Sequence, residues 1–520
     1  MKSILSLAIV TSLVFVPVAL ANSTQKKVTA DEEFKRVYRL NKMKALQPQA
    51  LWKKLYKLRQ SGQLSRKYLV PLEQLQASIL LEAGYPVAAS LIAASSLKKA
   101  PNASADSLKK SWDILSKVSS KRPIQYILEN LASSVKLEGY PYRFGNDWNY
   151  IVGNAFAAKG FNDRASVFYK RVNMSSRYFM PSKYQLAMNK HENGDLKGAI
   201  ASLKSIILSS THSNSPLKNS DKEEMVNYAA MALGRIYYEK KKFLTSARYY
   251  RRVAKDSPLY YNALFEQSWS LFMSGNGRHS LGSLYGVSSP FFDHVDNPEA
   301  KLLESIVYYW MCRYDDSKQS LADFTDKYSK TVTSLTDYLE GRALNSKSAY
   351  ELFENLVSGV SERSLGVPAD VLTTAASRDT MILVRDQLAT VMSENARLRD
   401  RGVSGTRKGT RFLVKVLDQI EDNLKNELGR TFTQELSMEK AHYEELYSQS
   451  QFLYLELLMS EKEQMLGREL HKGDKLAQAD HNQIRGWGRE TQSWKGGKKG
   501  EFWWDEIGFH IVDVPSKCID

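Results

Sequence analysis

The chain has 520 residues, of which 43% are hydrophobic and 25% are charged, and this composition excludes a disordered chain, a collagen-like chain and a disulfide-rich scaffold. Its 73 Lys and Arg residues outnumber 57 Asp and Glu, and the resulting net charge of +16 suits nucleic acid, an anionic envelope surface or an acidic partner. The two cysteines, Cys312 and Cys518, allow one disulfide at most and exclude a zinc site made of cysteine alone.

The amino terminus predicts a secretory signal peptide over residues 1–21. Lys2 forms a short positive leader, residues 4–20 are almost wholly apolar, and Ala19-Leu20-Ala21 is a small-x-small cleavage signal. The alternative is a retained membrane anchor, but the apolar run is short for a span and Pro17 interrupts it. No later stretch approaches 18 uninterrupted apolar residues. The mature protein is therefore expected to be periplasmic, not membrane-spanning, and without access to nucleic acid.

A 34-residue periodicity predicts tetratricopeptide repeat (TPR) helix pairs over residues 137–364, preceded by divergent helical repeats over 22–136. In one unit, Leu233-Gly234 on the first helix is followed by the small Ser246 and the bulky Tyr250 on the second. The frame of this unit recurs 34 residues later, from Tyr261, and a unit near residue 146 is likewise followed after 34 residues by one at residue 180. Further units begin near residues 70 and 298. The alternative is an all-helical domain with accidental periodicity. The polar segment 209–222 is expected to be a surface insertion between units.

The inner face of the predicted solenoid is strongly aromatic. Positions 2, 5, 9, 12 and 13 of each first helix line that face, and they are Tyr150, Asn154, Tyr184, His191, Tyr228, Arg235, Tyr238, Phe265, Trp269, Phe272, Tyr309 and Trp310. Aromatic residues and Arg are common anchors of protein interfaces, so this face is expected to bind a peptide segment or helix of a partner. Two alternatives stay open: the rings are covered by neighbouring helices or by this chain's own tail, or they stack on the sugars of peptidoglycan.

Residues 365–480 predict two long helices in an antiparallel coiled-coil hairpin, the first from Pro368 to about Asp400 and the second from about Thr410 to Leu470. Apolar residues recur at three- and four-residue steps along the second helix: Leu413, Leu417, Ile420, Leu424, Leu428, Phe432, Leu436, Tyr443, Leu446, Tyr447, Leu453 and Leu457. The tip of the hairpin collects Arg397, Arg399, Arg401, Arg407, Lys408 and Arg411. This tip is expected to be either a solvated loop or a docking point for an acidic partner or anionic lipid head groups.

The last segment, residues 481–520, is rich in Trp and Gly. Trp503, Trp504, Asp505 and Glu506 are expected to cap an exposed end or groove of the solenoid, with partner binding as the alternative. If the tail folds back, a bridge between Cys312 and Cys518 would hold it, although sequence supplies no geometry for that pairing.

Signals of enzymatic activity are absent from the sequence. No histidine has the spacing of a metal ligand set, and no nucleophile elbow, phosphate-binding loop or dinucleotide fingerprint occurs. A hydrolytic cluster of Asp505, Glu506 and His510 is the one enzymatic alternative. We expect no catalytic residues, no metal and no cofactor.

Three segments carry a resemblance: Ala263–Trp269, the block from Pro298 to Tyr314, and the ending Gly500–Phe509. The ending GEFWWDEIGF is similar to a pattern GEYW-x-DELG-[FY], with Phe502 in place of Tyr and Ile507 in place of Leu. On these segments the chain resembles exported TPR proteins of predatory and gliding delta-type proteobacteria, some of which are associated with the adventurous gliding motility apparatus of myxobacteria. The resemblance implies a periplasmic scaffold within an envelope-spanning machine, and it offers no catalytic residues.

The expected fold is therefore all-α: a TPR-like helical solenoid, a long helical hairpin and a short aromatic carboxy-terminal tail. The expected function is that of a non-enzymatic periplasmic scaffold that binds protein partners in a cell-envelope assembly related to motility or predation.

Overall fold

A computed structural model describes residues 28–99, 105–119, 124–132, 145–212, 219–293, 295, 297–341, 345–360, 367–466, 492–494, 504 and 507–518. Within them the chain forms twenty α-helices and two three-residue strands, which confirms the all-α fold class. The expected signal peptide lies outside the described residues.

The helices follow one another with short connections. They are α1 Ala30–Lys42, α2 Pro48–Ser61, α3 Arg66–Glu82, α4 Pro86–Lys99, α5 Ala105–Ser119, α6 Gln125–Ala132, α7 Gly145–Ala158, α8 Asn162–Tyr169, α9 Phe179–Glu192, α10 Leu196–His212, α11 Asn219–Glu239, α12 Phe243–Tyr250, α13 Tyr260–Met273, α14 Gly277–Val287, α15 Pro298–Trp310, α16 Tyr314–Gly341, α17 Ser346–Val357, α18 Ala369–Ala376, α19 Asp379–Arg401 and α20 Arg411–Met465. The strands β1 Gln492–Trp494 and β2 His510–Val512 pair in parallel.

The chain divides into two compact units, and each combines segments that are distant in sequence. The first contains Met1–Ser182 and Asp379–Leu428, and the second contains Lys183–Arg378 and Gly429–Asp520. The five-part domain division expected from sequence remains a prediction.

In the first unit, a carboxylate from a distant helix caps α4. Glu394 of α19 is 1% exposed, and its two carboxylate oxygens accept hydrogen bonds from the backbone N–H groups of Val87 (2.9 Å) and Ala88 (2.7 Å). The first backbone N–H groups of a helix have no partner within the helix, and a negative charge there is favourable. Glu394 therefore provides hydrogen-bond acceptors for two free backbone N–H groups at the amino terminus of α4, and it holds α19 beside that helix.

In the second unit, consecutive helices enclose small apolar cores. One core joins α9, α10 and α11 through Ala187, Leu203 and Leu233, all fully buried. Another joins α13, α14 and α15, and it also takes in Ile507 and Val512 of the tail.

Small residues let the paired helices approach closely. Ala165, Ala199, Ser246, Ser280 and Ser317, which are the small positions expected on the second helix of each pair, are all fully buried. The hydroxyl of Ser246 donates to the Gly234 carbonyl (2.7 Å), so the Ser that replaces Ala in this unit has its polar group satisfied.

Several helix boundaries differ from the sequence predictions. The expected insertion at 209–222 is partly helical, because α10 continues to His212 and α11 begins at Asn219. The single helix expected from Pro368 to Asp400 is two helices, α18 and α19, that break at Ser377 and Arg378. Helix α16 runs 28 residues, well beyond a TPR second helix, because Tyr328 and Leu335 continue its buried face and no Pro interrupts it.

The apolar residues expected to recur along α20 are buried except for Tyr447, which is half-buried, and different neighbours cover the two parts of this face. In the first unit, Asp418 near the start of α20 accepts hydrogen bonds from Asn395 (2.7 Å) and from Arg399 of α19. In the second unit, the Tyr443 ring lies 5.8 Å from the Tyr328 ring of α16, and the Phe432 ring 5.7 Å from the Phe353 ring of α17. The later part of α20 therefore packs on α16 and α17.

Across the described helices, none combines the length and apolarity that a transmembrane span requires.

Candidate functional site

Ten of the twelve residues expected on the inner face lie in the second unit, on the four helices α9, α11, α13 and α15. We call this set the inner face; its members are Tyr184, His191, Tyr228, Arg235, Tyr238, Phe265, Trp269, Phe272, Tyr309 and Trp310. Each neighbouring pair of these helices is joined by a direct side-chain contact from the set.

Helices α9 and α11 meet through two contacts. The Tyr184 and Tyr228 rings are edge to face with centroids 6.0 Å apart. Further along both helices, His191 Nε2 lies 2.8 Å from the Glu239 carboxylate. Burial raises the pKa of Tyr184, which keeps its hydroxyl neutral.

Helices α11 and α13 meet through an ion pair. Arg235 Nε donates to Glu266 Oε2 at 2.8 Å and its Nη2 donates to Oε1 at 2.5 Å, a bidentate geometry. These hydrogen bonds raise the pKa of Arg235, so the guanidinium stays charged. The Tyr238 ring packs edge to face on Phe243 at 5.2 Å.

Helices α13 and α15 meet through a tryptophan. Trp269 Nε1 donates to Glu299 Oε1 at 3.0 Å, and the Phe272 ring lies 6.4 Å from the Trp310 ring. Burial raises the pKa of Glu299, and the hydrogen bond from Trp269 works in the opposite direction. Phe265 and Trp269 also pack against the core of α13–α15.

The inner face is open in some places and covered in others. The Arg235 side chain is 62% exposed, Trp310 is 40% exposed and Tyr228 is 37% exposed. Tyr309 is only 5% exposed, and its hydroxyl lies 3.2 Å from the Ser460 hydroxyl of α20. Helix α20 therefore covers one end of the face and leaves the α11 region accessible.

The acidic members of this face were missed by sequence reasoning. Glu266 lies 31 residues after Arg235, and Glu299 lies 30 residues after Trp269. This spacing places the two residues of each pair side by side, on α11 and α13 in one case and on α13 and α15 in the other. A search for complementary residues at that spacing would have found both.

Tyr150 and Asn154, the other two expected members, lie in the first unit. The Tyr150 ring stacks on Tyr178 at 4.5 Å. Asn154 Oδ1 accepts a hydrogen bond from the Tyr169 hydroxyl at 2.8 Å. Both are part of that unit's internal packing, and burial raises the pKa of Tyr150.

The six basic residues expected at the hairpin tip, which we call the basic loop, surround a turn that is docked in the first unit. They are Arg397, Arg399, Arg401, Arg407, Lys408 and Arg411. The Gly402 carbonyl accepts from the Tyr85 hydroxyl (2.7 Å), and the Lys408 carbonyl accepts from Trp52 Nε1 (3.3 Å).

Acidic neighbours offset part of the charge of the basic loop. Arg399 pairs with Asp418, and Arg401 and Arg407 lie 3.5 Å and 3.8 Å from Asp400. Arg397 lies over the Tyr85 ring at 5.6 Å. The backbone of the turn is thus packed, whereas all six basic side chains are exposed and only part of their charge is offset. The docking point at this loop stays a prediction.

The described part of the tail, Trp504 and residues 507–518, lies on the second unit; we call it the docked tail. Its backbone is held by side chains: the Tyr260 hydroxyl donates to the Ile507 carbonyl (2.8 Å) and Arg278 Nε donates to the Val512 carbonyl (3.2 Å). At Gly282 of α14, a Cβ atom would overlap the His510 carbonyl. The helix therefore accepts the tail at this position because it carries no side chain.

A disulfide between Cys312 and Cys518, with an S–S distance of 2.03 Å, holds the far end of the docked tail. Beside it, the Lys517 N–H donates to the Met311 carbonyl at 2.9 Å. The Trp504 ring packs edge to face on Phe291 at 5.2 Å. Trp503, Asp505 and Glu506 lie outside the described residues.

His510, the described member of the expected hydrolytic cluster, is 3% exposed and its ring is perpendicular to Tyr285 at 5.6 Å. Burial lowers its pKa, and the nearby Lys255 charge acts in the same direction. In the described part of the chain, no group of three or more His, Cys, Asp or Glu side chains could hold a metal ion.

No protein-family model matches this chain, and no curated protein matches it.

Proposed function

We propose that the chain is a non-enzymatic periplasmic TPR scaffold whose inner face binds a protein partner in a cell-envelope assembly. The proposal includes the finer architecture, in which the helix pairs form a TPR solenoid and α19 and α20 form a coiled-coil hairpin. The resemblance to exported TPR proteins of predatory and gliding bacteria supports motility or predation as the setting.

The observation that carries this proposal is the unbroken series of contacts across four helices. Tyr184–Tyr228, Arg235–Glu266 and Trp269–Glu299 link α9, α11, α13 and α15 along one face. Such contacts hold the side chains in place before a partner binds, and this reduces the loss of side-chain conformational entropy on binding.

The chemistry of the face suits a peptide segment with apolar and basic side chains. The Tyr228 and Trp310 rings are 37% and 40% exposed and offer apolar area at low conformational cost. The carboxylates of Glu239 and Glu266 are 55% and 23% exposed and accept hydrogen bonds. Arg235 adds a fixed cation that would hold a backbone carbonyl or a carboxylate of the partner.

Site-specific crosslinking tests this proposal in cells. A photo-crosslinking residue at Tyr228 or Trp310 should capture the same protein, identified by mass spectrometry. The matched control is Leu208 of α10, which is 69% exposed and is not part of the inner face. Capture of one protein from both face positions and not from Leu208 supports the proposal, and recovery of peptidoglycan fragments alone contradicts it.

The captured partner then allows a quantitative prediction. Tyr228→Ala and Arg235→Ala should each weaken binding by about tenfold or more, since truncation of an anchor residue costs 1–2 kcal/mol or more. Leu208→Ala should leave the affinity unchanged. Calorimetry measures the affinity and circular dichroism checks that each variant is folded; unchanged affinity in both face variants would place the interface elsewhere.

Peptidoglycan binding is the second candidate, because the exposed rings of the same face could stack on sugars. A pull-down with purified sacculi distinguishes specific stacking from attraction by the net charge of +16. Retention that vanishes at moderate salt indicates charge alone, because salt screens exposed charges. Retention that survives salt and is lost in Trp310→Ala would favour the wall-binding function.

A further inference from the structure

The carboxy-terminal end of α20 is apolar on two opposite faces. One face is buried in the second unit: Leu453 and Leu457 are 7% and 0% exposed, and Ser460 lies 3.2 Å from the Tyr309 hydroxyl. The helical period of 3.6 residues places a second apolar set on the opposite side. We call this set the apolar stripe; its members are Phe452, Tyr454, Leu455, Leu458, Met459, Met465 and Leu466.

The apolar stripe is strongly exposed. Phe452 is 67% exposed, Met459 62%, Leu455 56% and Met465 86%. At roughly 150–200 Å² of surface for a large side chain, the exposed fractions of all seven residues amount to about 700 Å². The largest apolar patch on a typical monomer is about 300–600 Å², so this stripe exceeds what a protein usually leaves in water.

The residue types confirm that this is not an ordinary solvent face. Between residues 446 and 460, Glu456 is the only charged residue. A helix that faces water on one side normally carries charged and polar residues there, and a helix that is apolar all round is normally covered. The sequence therefore specifies a second packing partner for this part of α20.

We propose that the apolar stripe is a dimer interface, where α20 of one copy packs antiparallel against α20 of a second copy around Met459. The exposed area is close to the roughly 800 Å² per partner that a standard stable interface buries. A two-fold interface pairs the same patch with itself, and a uniform apolar stripe is self-complementary in this sense. The antiparallel arrangement also places Lys462 at the level of Glu456 of the second copy, whereas a parallel one would bring the two Lys462 side chains together.

The charges around the apolar stripe disfavour an anionic membrane as the occupant. Three carboxylates, Glu456, Glu461 and Glu463, accompany the single cation Lys462, and Glu461 is paired with Lys318 of α16. Amphipathic helices that bind anionic membranes carry Lys and Arg on their polar face. The stripe is therefore suited to a protein surface, and the dimer would form independently of any partner on the inner face.

Sedimentation of the full chain over a range from about 1 to about 100 µM tests the proposal. The wild type should dimerise. Met459→Glu should shift the dissociation constant at least about a hundredfold, because it places two buried like charges at the two-fold axis. Lys462→Glu should weaken the dimer, since it places a carboxylate at the level of Glu456 of the second copy.

Met438→Glu is the matched control, because Met438 lies on the same helix and is 57% exposed but does not belong to the apolar stripe. It should dimerise like the wild type. A Met459→Cys variant should form a crosslink between copies under oxidation, which fixes the position of the axis.

Three results would overturn the proposal. The first is a wild type that stays monomeric at the highest concentration, and the second is a dimer that survives Met459→Glu. The third is a monomeric wild type in which Met459→Glu lowers the unfolding temperature and Met438→Glu does not, because then other residues of the same chain cover the stripe.

Discussion

At the scale of single residues, two glycines determine how closely two pairs of helices pack. At Gly153 of α7 a Cβ atom would lie 2.5 Å from the Tyr169 ring of α8, and at Gly234 of α11 it would overlap the Tyr250 ring of α12. Both tyrosines are almost fully buried. The two helix pairs therefore pack in the same way, with the aromatic ring of the second helix in contact with the first helix at a position that has no side chain.

Gly234→Ala should destabilise the protein by about 1–3 kcal/mol, although Ala is the better helix former by about 1 kcal/mol. The added methyl group would overlap the Tyr250 ring, which is 2% exposed and has little room to move. Denaturant unfolding measures the change. The sign should reverse in a Tyr250→Leu background, where the ring is gone, and a loss of stability that persists there would show that the ring is not the cause.

Residue patterns predicted these close contacts because both partners lie within one repeat. The spacing from Gly234 to Ser246 and Tyr250 is fixed by the helix pair itself. Glu394 gave no such signal, since it caps backbone N–H groups 306 and 307 residues away. A buried carboxylate whose partner is backbone leaves no complementary side chain in the sequence to reveal it.

The docked tail is the element with the most varied attachments. Phe509 lies under two cations, Arg251 and Lys255, each 4.7 Å from its ring centre. Ile507 is fully buried, and Arg278 Nη2 donates to Asp513 at 2.5 Å. Extended peptides usually bind through hydrogen bonds to their backbone and through side chains that fill neighbouring pockets, and the docked tail has both kinds of contact.

We predict that docking of this tail weakens in acid because of His510. Burial lowers its pKa in the docked state, while a released tail has the ordinary value near 6.5. Below about pH 6.5, His510 therefore takes up a proton when the tail is released. The contribution of tail docking to the free energy of unfolding is fully present above that pH and falls by up to about 1.4 kcal/mol per pH unit below it. The groups that face His510 are Lys255, whose charge adds to the effect, and the neutral Tyr285.

Urea unfolding at about pH 5.5 and about pH 7.5 measures this effect. The wild type should lose more stability between the two conditions than His510→Gln, which cannot titrate in that range. Equal losses in the two proteins would mean that His510 does not control docking.

Element types were easier to predict than element partners. The apolar residues predicted to recur along α20 from Leu413 to Leu457 are buried, with the exception of the half-buried Tyr447. The sequence did not show that Phe432 and Tyr443 meet α17 and α16. Period alone says which face of a helix is covered, and it does not say what covers it.

At the scale of the whole molecule, local order and long-range assembly have different causes. Consecutive helices pack through residues close in sequence, so the pattern of their small and bulky residues could be read from the sequence. Each compact unit joins two segments that are not continuous in sequence: Met1–Ser182 with Asp379–Leu428, and Lys183–Arg378 with Gly429–Asp520. These associations depend on tertiary contacts such as Glu394 to α4, for which the sequence has no periodic signal.

The signal peptide predicted over residues 1–21 bears on whether the Cys312–Cys518 bridge forms in the cell. Disulfides form in the periplasm and are kept reduced in the cytosol. We predict that the chain expressed with its leader in a Gram-negative host is recovered from the periplasm with Asn22 as its first residue and both cysteines oxidised. Intact-mass measurement with thiol alkylation checks both points, and an exported chain that retains residues 1–21 would contradict the cleavage.

The chain without residues 1–21 should remain in the cytosol with two free thiols and should be less stable. The bridge closes a sequence separation of 206 residues, and constraining the unfolded chain over such a loop stabilises by about 5 kcal/mol in the entropic account. The control is a Cys312→Ser, Cys518→Ser double variant, whose denaturant midpoint should be the same from either compartment. Because the docked tail joins the core of α13–α15, the missing stability should be concentrated there, and hydrogen exchange should show faster opening of α14 than of α10 in the reduced chain.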